Sequence, residues 1–318
     1  MTELTLIVRE AIAETPLVKA IVLGSADGAP LPPAAPGAHV RVALPEGGDR
    51  PYSLVDHPDH RDGGTWVLGV RLEDPSAGGS RFMHGLAPGD RVTTSAPQNN
   101  FPLHEDARPA LLIAGGIGIT PILSMAAALA RAGRDFRLHY AGRARGQLAF
   151  LAPLARICGD RLACHYDDEP ETRLDVGKAL AEAPADAVVY VCGPEGMIEA
   201  VKAAAAGMGI APERVRSELF TKAPAAGADD TAFEVELRST GQVVTVAPGE
   251  SIIDALEAAG VDVLYDCRRG DCGICQCDVI EGVPDHRDVI LSDAEKASGK
   301  VMQICVSRAK SSRLVLDL

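Results

Sequence analysis

Cys267-Arg268-Arg269-Gly270-Asp271-Cys272-Gly273-Ile274-Cys275 sets three cysteines at C-x4-C-x2-C spacing, with Cys305 a distant fourth. That is the spacing of thiolate ligands to a [2Fe–2S] cluster. A compact loop has to wrap the cluster, turn three thiolates inward and bring backbone N–H groups to the sulfides. Gly270 and Gly273 supply the backbone angles and close approach that such wrapping needs. A structural zinc site is the competing reading. It usually shows two C-x2-C knuckles, and here only Cys272 and Cys275 make one. Five of the eight cysteines fall between residues 267 and 305. The fifth, Cys277, reads as a small buried apolar residue of a strand.

Outward from this loop, residues 233–237 and 243–246 flank Ser239-Thr240-Gly241 as a hairpin. Ser251 caps a helix over 251–259 that stops at Gly260, and strands follow at 275–280 and 314–318. This order, over residues 232–318, resembles a plant-type ferredoxin with an α+β, β-grasp fold. A [2Fe–2S] cluster carries one electron and performs no substrate chemistry, so the rest of the chain is expected to supply electrons. Residues 223–231, small and aperiodic, read as a linker.

Residues 106–222 alternate strand and helix. Apolar strands are expected at 110–114, 136–140, 162–166 and 188–192, with helices from the Gly-rich turn to about Gly133, at 147–157, at 175–182 and after Pro194. That rhythm predicts a parallel α/β sheet. In Gly115-Gly116-Ile117-Gly118-Ile119-Thr120-Pro121, Thr120 is the expected N-cap and Pro121 the first helical residue. The glycines admit a dinucleotide pyrophosphate to backbone N–H groups; a plain tight turn is the alternative. Cys192-Gly193-Pro194 ends a later strand. In a parallel sheet both turns fall at the carboxyl edge, where ligands bind. For Cys192 alone the alternative is a buried strand-end cysteine.

Residues 1–105 break into short strands at 4–8, 18–23, 40–44, 52–55, 66–70 and 92–94, separated by Gly- and Pro-rich turns, with a helix starting near Ser80. This predicts a small β-barrel. Arg50-Pro51-Tyr52-Ser53 lies within it.

Together these motifs resemble the phthalate dioxygenase reductase family, which includes vanillate O-demethylase reductases, over nearly the whole chain. The resemblance implies a flavin site in the barrel. There Arg50 pairs with phosphate, Pro51 is a cofactor-binding member of the same motif, Tyr52 stacks beside the isoalloxazine, and the Ser53 hydroxyl sits near N5. Val70-Arg71-Leu72 runs past the flavin, Gly78-Gly79-Ser80 holds its phosphate at a helix start, and Phe220 closes the site. It assigns Gly115, Gly116, Gly118, Thr120, Cys192, Gly193 and Pro194 to the nicotinamide cofactor, with Ser53 and Cys192 closest to the hydride, and Cys267, Cys272, Cys275 and Cys305 to the cluster. The C-terminal ferredoxin implies FMN, with FAD as the alternative. The implied activity is that of an NADH:acceptor oxidoreductase: hydride passes from NADH to FMN, and single electrons pass through [2Fe–2S] to a Rieske-type oxygenase of aromatic catabolism. A cytochrome P450 or another monooxygenase is the alternative acceptor. Two other classes stay open, a ferredoxin-like binding module with a degenerate reductase and a self-sufficient oxygenase.

Composition narrows the partners. With 318 residues, 47% hydrophobic, and a net charge of −13, the chain suits a multidomain globular protein and repels nucleic acid. No apolar run spans a membrane and no export signal opens the sequence, so a cytoplasmic monomer with unpaired cysteines is expected. Residues 232–318 hold 15 acidic and 9 basic side chains, a field suited to a basic docking surface, although Arg268 and Arg269 beside the cluster oppose it. For the nicotinamide, Arg143 and Arg145 favour a 2′-phosphate whereas Asp167-Asp168-Glu169 disfavours one; the family resemblance points to NADH.

Overall fold

The computed structural model describes residues 3–61, 63–74, 78–220, 230–265, 268, 270, 273–288 and 290–318. The chain separates into two compact units, Met1–Phe220 and Thr221–Leu318.

The first unit begins with β1 (Glu3–Ala13), β2 (Val18–Ser25), β3 (His39–Ala43), β4 (Asp49–Val55), β5 (Thr65–Arg71), α1 (Gly79–Gly85) and β6 (Arg91–Ser95). The six strands close into an antiparallel barrel in the order β1-β2-β5-β4-β3-β6. Closure leaves no sheet edge to pair with other chains. Every expected strand of this block forms, and β1 runs five residues further than expected past a bulge between Val8 and Glu10.

β2 explains how the barrel is held. Ile21 and Leu23 point into the barrel with Leu6, Val40, Leu54 and Leu68. The alternate residues Val18, Ala20 and Val22 point outward, where a half-buried strand would be polar. They pack instead in a second core with Leu112, Ile119, Leu123, Tyr140 and Phe150. Barrel and parallel sheet are therefore joined by a strand that is apolar on both faces.

That second core belongs to β7 (Ala110–Gly115), α2 (Ile119–Arg131), β8 (Phe136–Gly142), α3 (Leu151–Cys158), β9 (Leu162–Tyr166), α4 (Val176–Glu182), β10 (Val188–Gly193), α5 (Glu195–Gly207) and β11 (Val215–Leu219). The strands are all parallel, in the order β11-β10-β7-β8-β9. β7 and β10 are buried throughout, as expected for central strands covered on both faces.

The second unit contains β12 (Phe233–Leu237), β13 (Val243–Val246), α6 (Ile252–Ala258), β14 (Gln276–Glu281), β15 (Pro284–Asp285), α7 (Asp293–Ser298), β16 (Val301–Gln303), β17 (Arg308–Ala309) and β18 (Arg313–Leu316). Its sheet order is β13-β12-β18-β14-β16, with β12 and β18 parallel. The Ser251 hydroxyl accepts from the Asp254 N–H at 3.1 Å and caps α6 as expected. Of the expected linker 223–231, residues 223–229 lie outside the described set. Among the described residues, no helix is long and apolar enough to cross a membrane.

Candidate functional site

At the carboxyl edge of the parallel sheet the two glycine turns interlock. A Cβ built on Gly118 would lie 2.2 Å from the Cys192 carbonyl oxygen, and one on Gly115 would lie 2.6 Å from Pro194 Cδ. A Cβ on Gly193 would lie 3.0 Å from the Gly115 backbone. Glycine is thus required at Gly118 for the two backbones to touch. Gly116 is different: its φ is +54° and a Cβ there would meet nothing within 4 Å. That side of the turn is an open cradle, the shape a phosphate chain needs.

The helix start departs from expectation. The chain enters α2 through a 3-10 turn at Gly116–Gly118, so Gly118 is the N-cap and α2 begins at Ile119. Thr120 is not the cap. Its hydroxyl donates to the Ile117 carbonyl at 3.0 Å, and Pro121 falls third in the helix rather than first. The cap and the first helical residue therefore each fall two residues earlier than expected, because the 3-10 turn already winds the chain over Gly116–Gly118. Cys192 is fully buried beside this turn.

The barrel's expected flavin residues gather on one side. A Cβ on Gly79 would lie 2.8 Å from Arg50 Cγ and 3.4 Å from the Tyr52 hydroxyl, so Arg50, Tyr52 and the start of α1 adjoin. Gly78, at φ +96°, precedes α1 with open space around it, and Ser80 Oγ accepts from the Glu73 N–H at 3.1 Å. Pro51, Tyr52 and Arg50 are half-buried on β4, whereas Ser53 is buried. Burial pushes the Tyr52 phenol up to about 12, with the Arg50 charge opposing. Val70 is buried, Arg71 and Leu72 are half-buried, and His84 Nε2 lies 2.9 Å from the Val70 carbonyl, tying α1 to β5.

Two contacts that local sequence does not show fix these groups against each other. A Cβ on Gly69 would lie 2.5 Å from Thr120 Cγ2 and 2.8 Å from the Phe150 ring. Ser124 on α2 donates to the Leu54 carbonyl at 2.6 Å and accepts from the Asp56 N–H at 2.9 Å. The strand next to the flavin motif and the first turns of α2 are therefore one packed body. Phe220 is half-buried against the shared core, just past β11. Arg216 donates to the Pro102 carbonyl at 2.9 Å and lies over Tyr190. Glu218, in register with Cys192 and buried, is a residue the sequence reading missed; a carboxylate two residues before Phe220 was its signal.

In the second unit, β14 pairs with β16, Gln276 opposite Gln303. The Cys275 carbonyl accepts from the Ile304 N–H at 3.3 Å, which ties Cys275 to the residue just before Cys305, and both cysteines are buried. The fully buried Gln303 amide lies 3.4 Å from Cys275 Sγ. Gly270 has φ +79°, and a Cβ there would strike Val306 Cγ2 at 2.6 Å; Gly273 has φ +76°. Both glycines are in the left-handed region the loop reading required. Cys267 and Cys272, the other two expected ligands, lie outside the described residues. Cys277 is buried and its thiol is pushed up to about 12 by burial, which suits an inert core residue. Arg268 donates to Asp254 and Glu257 at 2.7 Å each and lies over Tyr265. The basic charge next to Cys267 is therefore neutralised at Arg268.

These features define a nicotinamide- and iron–sulfur-dependent reductase, and the comparisons with known proteins agree. Residues 112–203 match the family described as an oxidoreductase NAD-binding domain, and residues 235–310 match the 2Fe-2S iron-sulfur cluster binding domain. The chain is 44% identical over 297 residues to a vanillate O-demethylase oxidoreductase of Pseudomonas sp. (strain HR199 / DSM 7063), covering 92% of this chain and 93% of that one. Its fold matches the structure of a phthalate dioxygenase reductase described as modular for electron transfer from pyridine nucleotides to [2Fe–2S]. The TM-score is 0.75 at 34% identity, over 99% of this chain and 98% of that one. An intact type IV self-sufficient cytochrome P450 monooxygenase matches with TM-score 0.77 at 36% identity; 99% of this chain spans 41% of that one.

The chain belongs to the phthalate dioxygenase reductase family. It is an NADH oxidoreductase of an oxygenase system, with a flavin-type barrel, a nicotinamide sheet and a [2Fe–2S] ferredoxin fold.

Proposed function

We propose that the protein takes electrons from NADH through FMN and its [2Fe–2S] centre and delivers them to a Rieske-type oxygenase, acting as a cytoplasmic monomer. When bound, the flavin accepts hydride from NADH and the cluster carries single electrons onward. The chain's own residues bind, orient and shield. Arg50 and the first N–H groups of α1 hold the flavin phosphate, with charge-assisted hydrogen bonds setting its position. Tyr52 flanks the ring, Ser53 directs its hydroxyl toward it, and Val70-Arg71-Leu72 with Phe220 border it. The open side of Gly116 takes the pyrophosphate, while Gly115, Gly118, Thr120, Gly193 and Pro194 shape the turn pair and Cys192 lies beside the nicotinamide. Cys267, Cys272, Cys275 and Cys305 hold the cluster as thiolates. The domain division is that of residues 1–105, 106–222 and 232–318, joined by 223–231.

The observation that carries this reading is the contact of Gly69 with Thr120 and Phe150. It seats the barrel strand beside the flavin motif on the helix that opens the nicotinamide turn, which supports donor and acceptor sites within one compact unit. The acidic ferredoxin block, with Arg268 neutralised by Asp254 and Glu257, supports a basic docking face on the oxygenase.

The test is NADH-dependent product formation with purified Rieske oxygenases and with P450s across a salt series, with the flavin identified by extraction. Turnover with a Rieske partner that weakens as salt rises is the expected outcome. Rapid reduction of a P450 with no Rieske protein reduced overturns the partner, and release of FAD overturns the flavin.

A further inference from the structure

We propose that the Arg145–Glu169 ion pair sets the choice of nicotinamide cofactor by withholding Arg145 from a 2′-phosphate. The proposal rests on the reading that the dinucleotide lies along the carboxyl edge with its pyrophosphate at the Gly115–Gly118 turn. The strand order β10-β7-β8-β9 then gives the direction. With the nicotinamide end toward Cys192 on β10, the adenosine end reaches the loops that follow β8 and β9. Arg145 stands three residues past β8, and Glu169 three past β9.

The two loops are zipped together. The Asp167 N–H donates to the Gly142 carbonyl at 3.0 Å, and the Asp168 N–H donates to the Arg143 carbonyl at 3.1 Å. Across this seam Arg145 Nε and Nη2 each donate to a different oxygen of the Glu169 carboxylate at 2.6 Å. The guanidinium also lies 4.3 Å from the Tyr166 ring centroid. Glu169 is itself anchored, because Thr172 Oγ1 donates to its carbonyl at 2.9 Å. A forked pair of this kind saturates the edge of the guanidinium that would otherwise grip a phosphate. Arg145 holds the Glu169 carboxyl below its usual range, so the pair stays ionised at working pH.

The sequence leaves the sheet edge with opposed signals, two arginines against three acids. The pairing changes the balance, because one arginine and one acid cancel; Asp167 and Asp168 remain beside Arg143 and Arg173, and Arg173 is itself occupied in donating to the Asp167 carbonyl at 2.9 Å. A ribose 2′-hydroxyl needs no cation there, whereas a 2′-phosphate meets two carboxylates, Asp167 and Asp168, and an arginine already committed to Glu169. An exposed ion pair of this kind contributes little to folding, so its removal tests recognition rather than stability.

The experiment compares wild type, Glu169→Gln and the double variant Arg145→Gln/Glu169→Gln. Calorimetric binding of 2′,5′-ADP and 5′-AMP is measured alongside kcat/KM for NADPH and NADH, with thermal unfolding confirming the fold of each variant. Glu169→Gln is expected to tighten 2′,5′-ADP about tenfold relative to 5′-AMP, and to raise the NADPH:NADH ratio of kcat/KM in parallel. The gain should shrink as salt rises and vanish in the double variant. An unchanged 2′,5′-ADP affinity in Glu169→Gln, with 5′-AMP still binding, overturns the ion pair's role. So does a gain that survives in the double variant. Failure of 5′-AMP to bind any of the three proteins overturns the placement of the adenosine, and the proposal with it.

Discussion

The nicotinamide edge and the cluster loop both depend on glycine, but for different reasons. At the edge, Gly118 is needed because backbone meets backbone, with a Cβ placed 2.2 Å from the Cys192 carbonyl. In the loop, Gly270 and Gly273 are needed because φ is positive, and the proposed cluster ligands around them are side-chain thiolates. A site made of main chain is sensitive to an added carbon. A site made of thiolates is sensitive to the exchange of one atom. Because the two lie in separate compact units, each can be broken while the other is watched.

The largest effect is expected from Cys305→Ser in the second unit. It should abolish or severely deplete the cluster's visible absorbance and stop electron delivery to the oxygenase. Flavin bleaching by NADH should persist near the wild-type rate, as measured by stopped flow. Collapse of flavin reduction in the same variant would show that the units are not separable.

Gly118→Ala is the matching change in the first unit. Neither partner atom is the end of a flexible side chain, so backbone has to shift, at a cost of about 3 kcal/mol. Differential scanning calorimetry should show the first unit's transition lowered and the second unit's cluster absorbance intact. A wild-type melting profile with normal NADH turnover would contradict the packing described for the two turns.

A smaller effect comes from His139 on β8. His165 Nδ1 lies 2.9 Å from the Thr172 carbonyl and must carry a proton to donate there, which makes its Nε2 an acceptor for His139 Nδ1 at 3.0 Å. His139 Nε2 is then buried as a bare lone pair, with no hydrogen-bond partner among the described residues. Burial, reinforced by His165 and Arg137 and opposed by Glu182, pushes the His139 pKa down to about 4 from 6.5. The folded value lies below the unfolded one, so this contribution is complete above pH 6.5 and is lost as pH falls toward 4. The loss amounts to about 3 kcal/mol. Chemical denaturation of the first unit across that window should lose this slope in His139→Gln. An equal slope in the variant would assign the acid sensitivity elsewhere.

Much of this was legible beforehand, and the omissions have physical causes. Motifs report local backbone, so the barrel strands, the alternation of the parallel sheet and the cluster spacing could all be read directly. β11 escaped notice because Val215-Arg216-Ser217-Glu218-Leu219 has no apolar run, being an edge strand with one neighbour. The short polar helix α7 shows only in its capping box, where Ser292 and Glu295 satisfy each other's backbone N–H. Thr120 looked like a cap because threonine before proline is a common helix entry, and the intervening 3-10 turn has no residue signature of its own. The seating of Gly69 on Phe150 joins positions far apart in sequence, and Phe150 adopts φ +60°, which nothing in its own identity announces. The Arg145–Glu169 pairing is of the same kind: two loops, each readable alone, whose charges cancel only in three dimensions.

Arg308 carries a practical consequence for anyone dissecting the chain. Its buried guanidinium donates to the Thr231 carbonyl at 3.1 Å, the Ala247 carbonyl at 3.0 Å and the Glu250 carbonyl, and faces the Asp230 carboxylate at 3.5 Å. Asp230 is also gripped by Arg287 at 2.6 Å. Two residues that read as the tail of a tether thus serve as a buckle. A recombinant ferredoxin fragment cut at residue 232 would strip two partners from a desolvated cation, an expense of about 3–5 kcal/mol. A fragment that keeps Asp230 and Thr231 retains every one of these contacts, so the scissors belong upstream of Asp230.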